Sequence, residues 1–280
     1  MPYTKEISRK SPGCFFFLLD QSESMEDPFG GNSKAKQKAD ELAVIINKLI
    51  HNLSIRCAKS SGIYDYFHVG ILGYGDDTCK PGLGGALEGR YLVPISELAD
   101  TPLRIDEKPK NTEGSSDGDS GETIKFPVWY DAVAKGGTPM CAAFKEATTI
   151  MKGWIDEHPD GFPPIVINIT DGDANDGDLV EASKSLTSLE TKDGNVLLFN
   201  IHLSGEAGLP IELPGKPEGL ADKFSKNLFD ASSVLTPFMI VRARELGMTV
   251  DDTSRGFIFN AQPLQVINFL DIGTRPSKLR

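Results

Sequence analysis

The stretch CFFFLLDQSESM, Cys14 to Met25, decides how the rest of the chain is read. Six apolar or weakly polar residues run straight into Asp20, and Ser22 and Ser24 follow at alternate positions. The run is too short to span a membrane, which takes roughly 20 apolar residues. It suits a strand buried on both faces, as in a parallel sheet. Asp20 then stands where the strand leaves the core. If the chain curls back, the oxygens of Asp20, Ser22 and Ser24 converge on one point, and a hard cation is the natural occupant of such a point. The alternative for the same residues is a polar turn whose serines cap a helix.

Outward from this strand, elements alternate. Leu42, Ile45, Ile46, Leu49, Ile50 and Leu53 fall at helical spacing, with Ser33 as a cap upstream. YFHVGILGYG, from Tyr66, reads as a second buried strand. Thr138 followed by Pro139 predicts a helix start, the hydroxyl at the cap and proline at the first helical position, with Met140, Phe144, Ala147, Met151 and Trp154 on one face. PPIVINITDGDANDGD, from Pro163, is a strand breaking into acidic residues at Asp171. A helix over 179–189, the strand NVLLFNIHLS, helices over 221–227 and 236–246, a strand at GFIFN and a helix over 264–270 complete the series. This predicts an α/β chain with a doubly wound, mostly parallel central sheet flanked by helices. Residues 1–280 read as a single domain with an insertion at about 76–126. That insertion holds a strand at GRYLVPI and then KPKNTEGSSDGDSGET, whose 110–123 portion is expected to be mobile because it has almost nothing apolar to bury.

Composition narrows the function. With 39% hydrophobic and 25% charged residues the 280-residue chain is of ordinary globular make-up, and its net charge of −11 argues against a nucleic-acid partner. Basic residues before the first strand mimic a signal peptide, but the apolar part is short and lacks a small-residue cleavage site. Cys14, Cys57, Cys79 and Cys141 are scattered without a CxxC pair, which predicts reduced structural thiols, a cytoplasmic protein and no zinc site. His68 and His202 read as packed core histidines.

In a doubly wound sheet ligands bind beyond the carboxyl ends of the strands, where strand order reverses. Asp20 and Asp171 each end a buried strand, and Thr138 enters from the same edge. Two carboxylates and three hydroxyls, with no His or Cys, favour Mg²⁺ or Mn²⁺. DGDANDGD does not fit a calcium loop, because its sixth and twelfth positions are Asp176 and Ala182 rather than Gly and Glu. Asp173, Asp176 and Asp178 read instead as loop and helix-start residues. GLGGALEG, from Gly82, is a turn and not a phosphate loop.

DQSES, GGTPM and ITDGD together resemble the three parts of the metal-ion-dependent adhesion site of von Willebrand factor A (vWA) domains. The resemblance implies the Rossmann-like vWA fold, metal ligands Asp20, Ser22, Ser24, Thr138 and Asp171, and a non-enzymatic module that recognises another protein through an Asp or Glu carboxylate on the bound Mg²⁺ or Mn²⁺. The run FPVWYDAVAKGGTPM is similar to bacterial intracellular vWA proteins, often encoded beside phosphatases and kinases, and this implies a partner of that kind. An acidic rim of Glu23, Glu26, Asp27 and Asp173 and an apolar contact at Phe29 are expected around the site. The rival reading is a metal-dependent phosphatase of haloacid-dehalogenase-like type. That class needs a general acid two residues after the nucleophilic aspartate, where this chain has Ser22.

Overall fold

The computed structural model describes residues 2–31, 35–109, 123–203 and 208–274. β1 (Gly13–Asp20) is buried at every position. Because strand side chains alternate, Phe15, Phe17 and Leu19 join one core and Cys14, Phe16 and Leu18 the other. After it come α1 (Lys38–Cys57), a small hairpin of β2 (Ala58–Lys59) and β3 (Gly62–Ile63), β4 (Phe67–Gly75), β5 (Thr78–Pro81) and β6 (Val93–Pro94). Next are α2 (Ile95–Asp100), then β7 (Arg104–Pro109) paired with β8 (Thr123–Val128), α3 (Met140–Glu157) and β9 (Ile165–Thr170). α4 (Leu179–Thr187), β10 (Glu190–Thr191), β11 (Gly194–Asn195), β12 (Leu197–Leu203), β13 (Ile211–Glu212), α5 (Lys223–Ala231), α6 (Pro237–Glu245), β14 (Phe257–Ala261) and α7 (Pro263–Thr274) complete the order.

The main sheet runs β13-β14-β12-β9-β1-β4-β5, with β6 also on β4. Strands β14, β12, β9, β1 and β4 are mutually parallel, while β13, β5 and β6 pair antiparallel at the margins. The fold is therefore a doubly wound α/β sandwich, as the alternation of elements predicts. α1, α6 and α7 pack on the Phe15 face, and α3, α4 and α5 on the Phe16 face. Ranked by sequence, the principal strands β1, β4, β5, β9, β12 and β14 lie in the order 3-2-1-4-5-6, which reverses between β1 and β9.

A chain of polar side chains crosses the Phe16 face. Tyr74 Oη donates to Asn168 Oδ1 at 2.7 Å, Asn168 Nδ2 to Asn200 Oδ1 at 3.0 Å, and Asn200 Nδ2 to Ser232 Oγ at 3.0 Å. All are buried, so each must find its partner inside the protein. The cysteines are free thiols, three of them buried. His68 Nδ1 accepts from Trp154 Nε1 at 2.8 Å, and His202 stacks on Phe259, both packed as expected. Burial pushes the His202 imidazole down to about 4.

Several local expectations are corrected. Only Val93–Pro94 of GRYLVPI is strand; Ile95–Asp100, a helix with no long apolar period to announce it, follows at once. The 76–126 region also holds β5 and the β7–β8 pair, so much of it is regular. Ser33 and residues 110–122 lie outside the described residues. Phe29 is not a surface contact; it is 5% exposed and sits in the Phe15-side core.

Candidate metal centre

The switch between β1 and β9 brings the expected residues to one edge. Asp20 ends β1, and Asp171 follows directly on β9, whose Ile169 lies opposite Leu19. The chain then turns tightly: Ser22 N–H donates to Asp20 Oδ1 at 2.8 Å, and a 3-10 helix covers Glu23–Glu26. Ser22 precedes that helix, yet its hydroxyl makes no capping bond. It lies instead 3.1 Å from Ser24 Oγ, which donates to Asp171 Oδ1 at 2.7 Å. The Ser22 hydroxyl therefore does not cap this helix, while the Asp20–Ser22 bond forms the polar turn that the alternative reading expects.

The loop's path depends on glycine at two neighbouring positions. A Cβ on Gly75 would come within 2.5 Å of the Gln21 carbonyl oxygen. Gly136, at φ +72°, accepts the Glu23 N–H at 2.9 Å and would bring a Cβ to 2.5 Å from Asp76 Cα. Lys135 N–H donates to Gln21 O, which lays 135–136 alongside the DQSES turn.

Thr138 is nearly buried, but it is not the cap of α3, as the Thr-Pro pair predicts; the helix begins one residue later, after Pro139, without a side-chain cap. Asp176 does that work, its carboxylate accepting from Cys141 N–H at 3.0 Å and Ala142 N–H at 2.7 Å. The acid in the 171–178 loop and the helix were both visible in the sequence, but not that the one would serve the other. Asp178 caps α4 through Glu181 N–H. Thr138's backbone is fixed to the loop after β9: with its amide oriented to satisfy both partners, Asn175 donates to Thr138 O at 3.0 Å and accepts from Thr138 N at 3.1 Å. Thr138 Oγ1 and Ser24 Oγ both approach Gly172, at 3.9 and 4.0 Å from the place a Cβ there would take. All five residues therefore share one cluster.

Asp20 is fully buried, and burial is the main reason its carboxyl is raised to about 6; the nearby Asp171 charge adds to this. Hydrogen bonds from Ser22 and from Thr170 Oγ1, the latter at 2.6 Å from Asp20 Oδ2, offset part of the rise. Sequence reasoning missed Lys38, at the start of α1. Its side chain is 3% exposed, and its ammonium lies 2.5 Å from Asp171 Oδ2 and 3.7 Å from Asp27 Oδ2.

The donor set fits a hard divalent cation. Ser22, Ser24 and Asp171 bring their oxygens within hydrogen-bond distance of one another, at 3.1 and 2.7 Å, and oxygen-only donors are those a hard cation takes. Among the described residues no group of three or more His, Cys, Asp or Glu could hold a metal. The cluster would have to use its hydroxyls, which again favours Mg²⁺ or Mn²⁺ over softer ions. Glu23, Glu26, Asp27 and Asp173 are exposed around it as an acidic rim.

No family model matches the sequence, and no curated protein matches it. Among solved structures, the chain is similar to the SpRpn10 VWA domain at 10% identity and TM-score 0.45, over 95% of this chain and 100% of that one. It is similar to the ArnB paralog VWA2 from Sulfolobus acidocaldarius at 15% identity and TM-score 0.33, over 69% and 35%. Manganese-loaded Plasmodium vivax TRAP protein aligns at 18% identity and TM-score 0.35, over 72% and 61%. These likenesses are too distant to transfer a site or an activity.

Proposed function

We propose that the chain is a single vWA-like domain, with residues 76–126 inserted, that recognises another protein through a divalent cation held by Asp20, Ser22, Ser24, Thr138 and Asp171. The observation that carries this reading is the meeting of those five residues, from three distant segments, at the point where strand order reverses. A bound Mg²⁺ or Mn²⁺ supplies a positive position that a partner's Asp or Glu carboxylate can occupy. The protein's own residues do the rest. Asp20 and Asp171 provide the only carboxylates of the set, the hydroxyls are neutral, and the rim acids repel carboxylates that approach in the wrong geometry. Beside the cluster, a cleft of about 380 Å³ is lined by Gln21, Leu103, Tyr130 and Val133, and Val133 offers an exposed apolar contact where Phe29 does not.

The phosphatase alternative gains no support. Both oxygens of Asp20 already accept hydrogen bonds inside a fully buried site, which suits a fixed ligand better than an attacking nucleophile. No helix among the described residues is long and apolar enough to cross a membrane.

Mn²⁺ titration followed by the loss of the free-ion paramagnetic signal tests the metal. The expected dissociation constant is on the order of 10⁻⁴–10⁻³ M, as for sites with few charged ligands. Asp20→Ala should abolish binding while preserving the far-ultraviolet dichroism; undiminished binding refutes the assignment. With a partner in hand, chelation and replacement of its key carboxylate by the amide should have equal effects that do not add, since both remove one interaction.

A further inference from the structure

Lys38 is the one cation whose ammonium lies in the oxygen cluster among the described residues, and local structure does not explain it. It stands in the first turn of α1, at the helix end whose dipole disfavours positive charge. Its side chain and that of Asp171 are 3% and 1% exposed, so an unpaired ammonium there would carry a heavy desolvation cost. Asp171 is thus engaged at both oxygens, Oδ1 by Ser24 Oγ at 2.7 Å and Oδ2 by Lys38 Nζ at 2.5 Å. A second carboxylate is within reach. Asp27 Oδ2 is 3.7 Å from the same nitrogen, its side chain is 68% exposed, and Asp27 O accepts the Lys38 N–H at 3.0 Å.

We infer that Lys38 is a tethered cation of the centre. It holds Asp171 in place in the metal-free protein, competes with the divalent ion for that carboxylate, and moves toward Asp27 when the ion enters. The inference rests on the metal reading above and adds to it a residue that sets affinity. It also assigns Asp27 a role, that of receiving the displaced ammonium. A short side-chain movement at one helix start then exchanges a single positive charge for a double one, without rearrangement of the sheet.

The test is Mn²⁺ titration of the full chain by paramagnetic resonance, with melting temperatures recorded in chelator and in excess Mn²⁺. Lys38→Gln should bind Mn²⁺ at least tenfold more tightly than the wild type, because the competing charge is gone. In chelator it should melt at a lower temperature, because Asp171 has lost its partner, and Mn²⁺ should restore more of that loss than it adds to the wild type. Lys38→Met gives the same comparison if the glutamine is poorly tolerated. Asp27→Asn should weaken Mn²⁺ binding severalfold in the wild type and change it little in the Lys38→Gln background. If the wild type binds Mn²⁺ and both Lys38 variants bind it equally or more weakly, Lys38 positions Asp171 rather than competing, and the inference is overturned while the metal reading stands. If neither wild type nor variants bind Mn²⁺, both fall.

Discussion

Asp20 occupies a fully buried position in which both carboxylate oxygens accept hydrogen bonds, and burial still raises its carboxyl to about 6. Without a cation this is a cost to the folded state. A group whose folded value lies above its unfolded one destabilises as pH rises through that interval, here from about 4 to about 6. Asp20→Asn should therefore raise the stability of the chelated protein by about 2 kcal/mol above pH 6, the shift being worth more but one accepted bond being lost. The gain should fade toward pH 4. Denaturant titrations across pH check this, and a gain independent of pH would mean that charge is not the cause. The five clustered residues were legible through the DQSES, GGTPM and ITDGD motifs, and Asp20 and Asp171 are also marked locally by the ends of buried strands. Lys38 was not, because its partner Asp171 is 133 positions away and no local pattern joins them. Asp176 was hidden for the same reason: it sits before one helix and caps another.

At the scale of elements, the junctions are the vulnerable points. Gly75 closes β4 beneath the Gln21 carbonyl, and an added Cβ at 2.5 Å forces the backbone of the DQSES turn away. Gly75→Ala should cost about 1–3 kcal/mol and weaken Mn²⁺ binding together with stability, whereas an alanine at the open Gly153 in α3 should leave binding unchanged. Paired melting and titration measurements separate the two. Near the C-terminal end of α3, His68 accepts from Trp154 Nε1, and its imidazole is lowered first by burial and then by the facing His158; Asp65 and Glu157 act the other way. A lowered histidine favours the folded state above its unfolded value of about 6.5, and that contribution is lost as pH falls through the folded value. His68→Gln should flatten the acid side of the melting profile below pH 6.5; an unchanged slope would place the titration elsewhere. The long helices and buried strands were legible from periodicity. α2, with six residues, was not, and of the strand read at GRYLVPI only the two residues of β6 form, because tertiary pairing and not local pattern holds them.

For the molecule as a whole, ion binding should register as a modest gain in stability. At about tenfold saturation the linkage amounts to about 1.4 kcal/mol, a rise of about 3 °C in a chain of this size. Calorimetry with Mn²⁺ and with chelator measures it directly, and no shift would count against the site. The strand order was foreseen only as a class, since β1, β4, β9 and β12 are all apolar and nothing local says which neighbours which. That uniformity gives the polar crossing beneath the site a consequence for assembly. Asn168 and Asn200 stand directly opposite each other on neighbouring strands. Sliding β9 past β12 by one residue would face each amide with an aliphatic or aromatic neighbour and strand its hydrogen bonds, at about 1–3 kcal/mol for each orphaned group. The two amides work as a key in a lock, admitting one alignment of strands that are otherwise nearly interchangeable. Replacing both by leucine should leave a protein that still collapses and melts cooperatively but loses that discrimination. Its amide spectrum should then show doubled resonances for β9 and β12, the mark of two alignments trapped in one population.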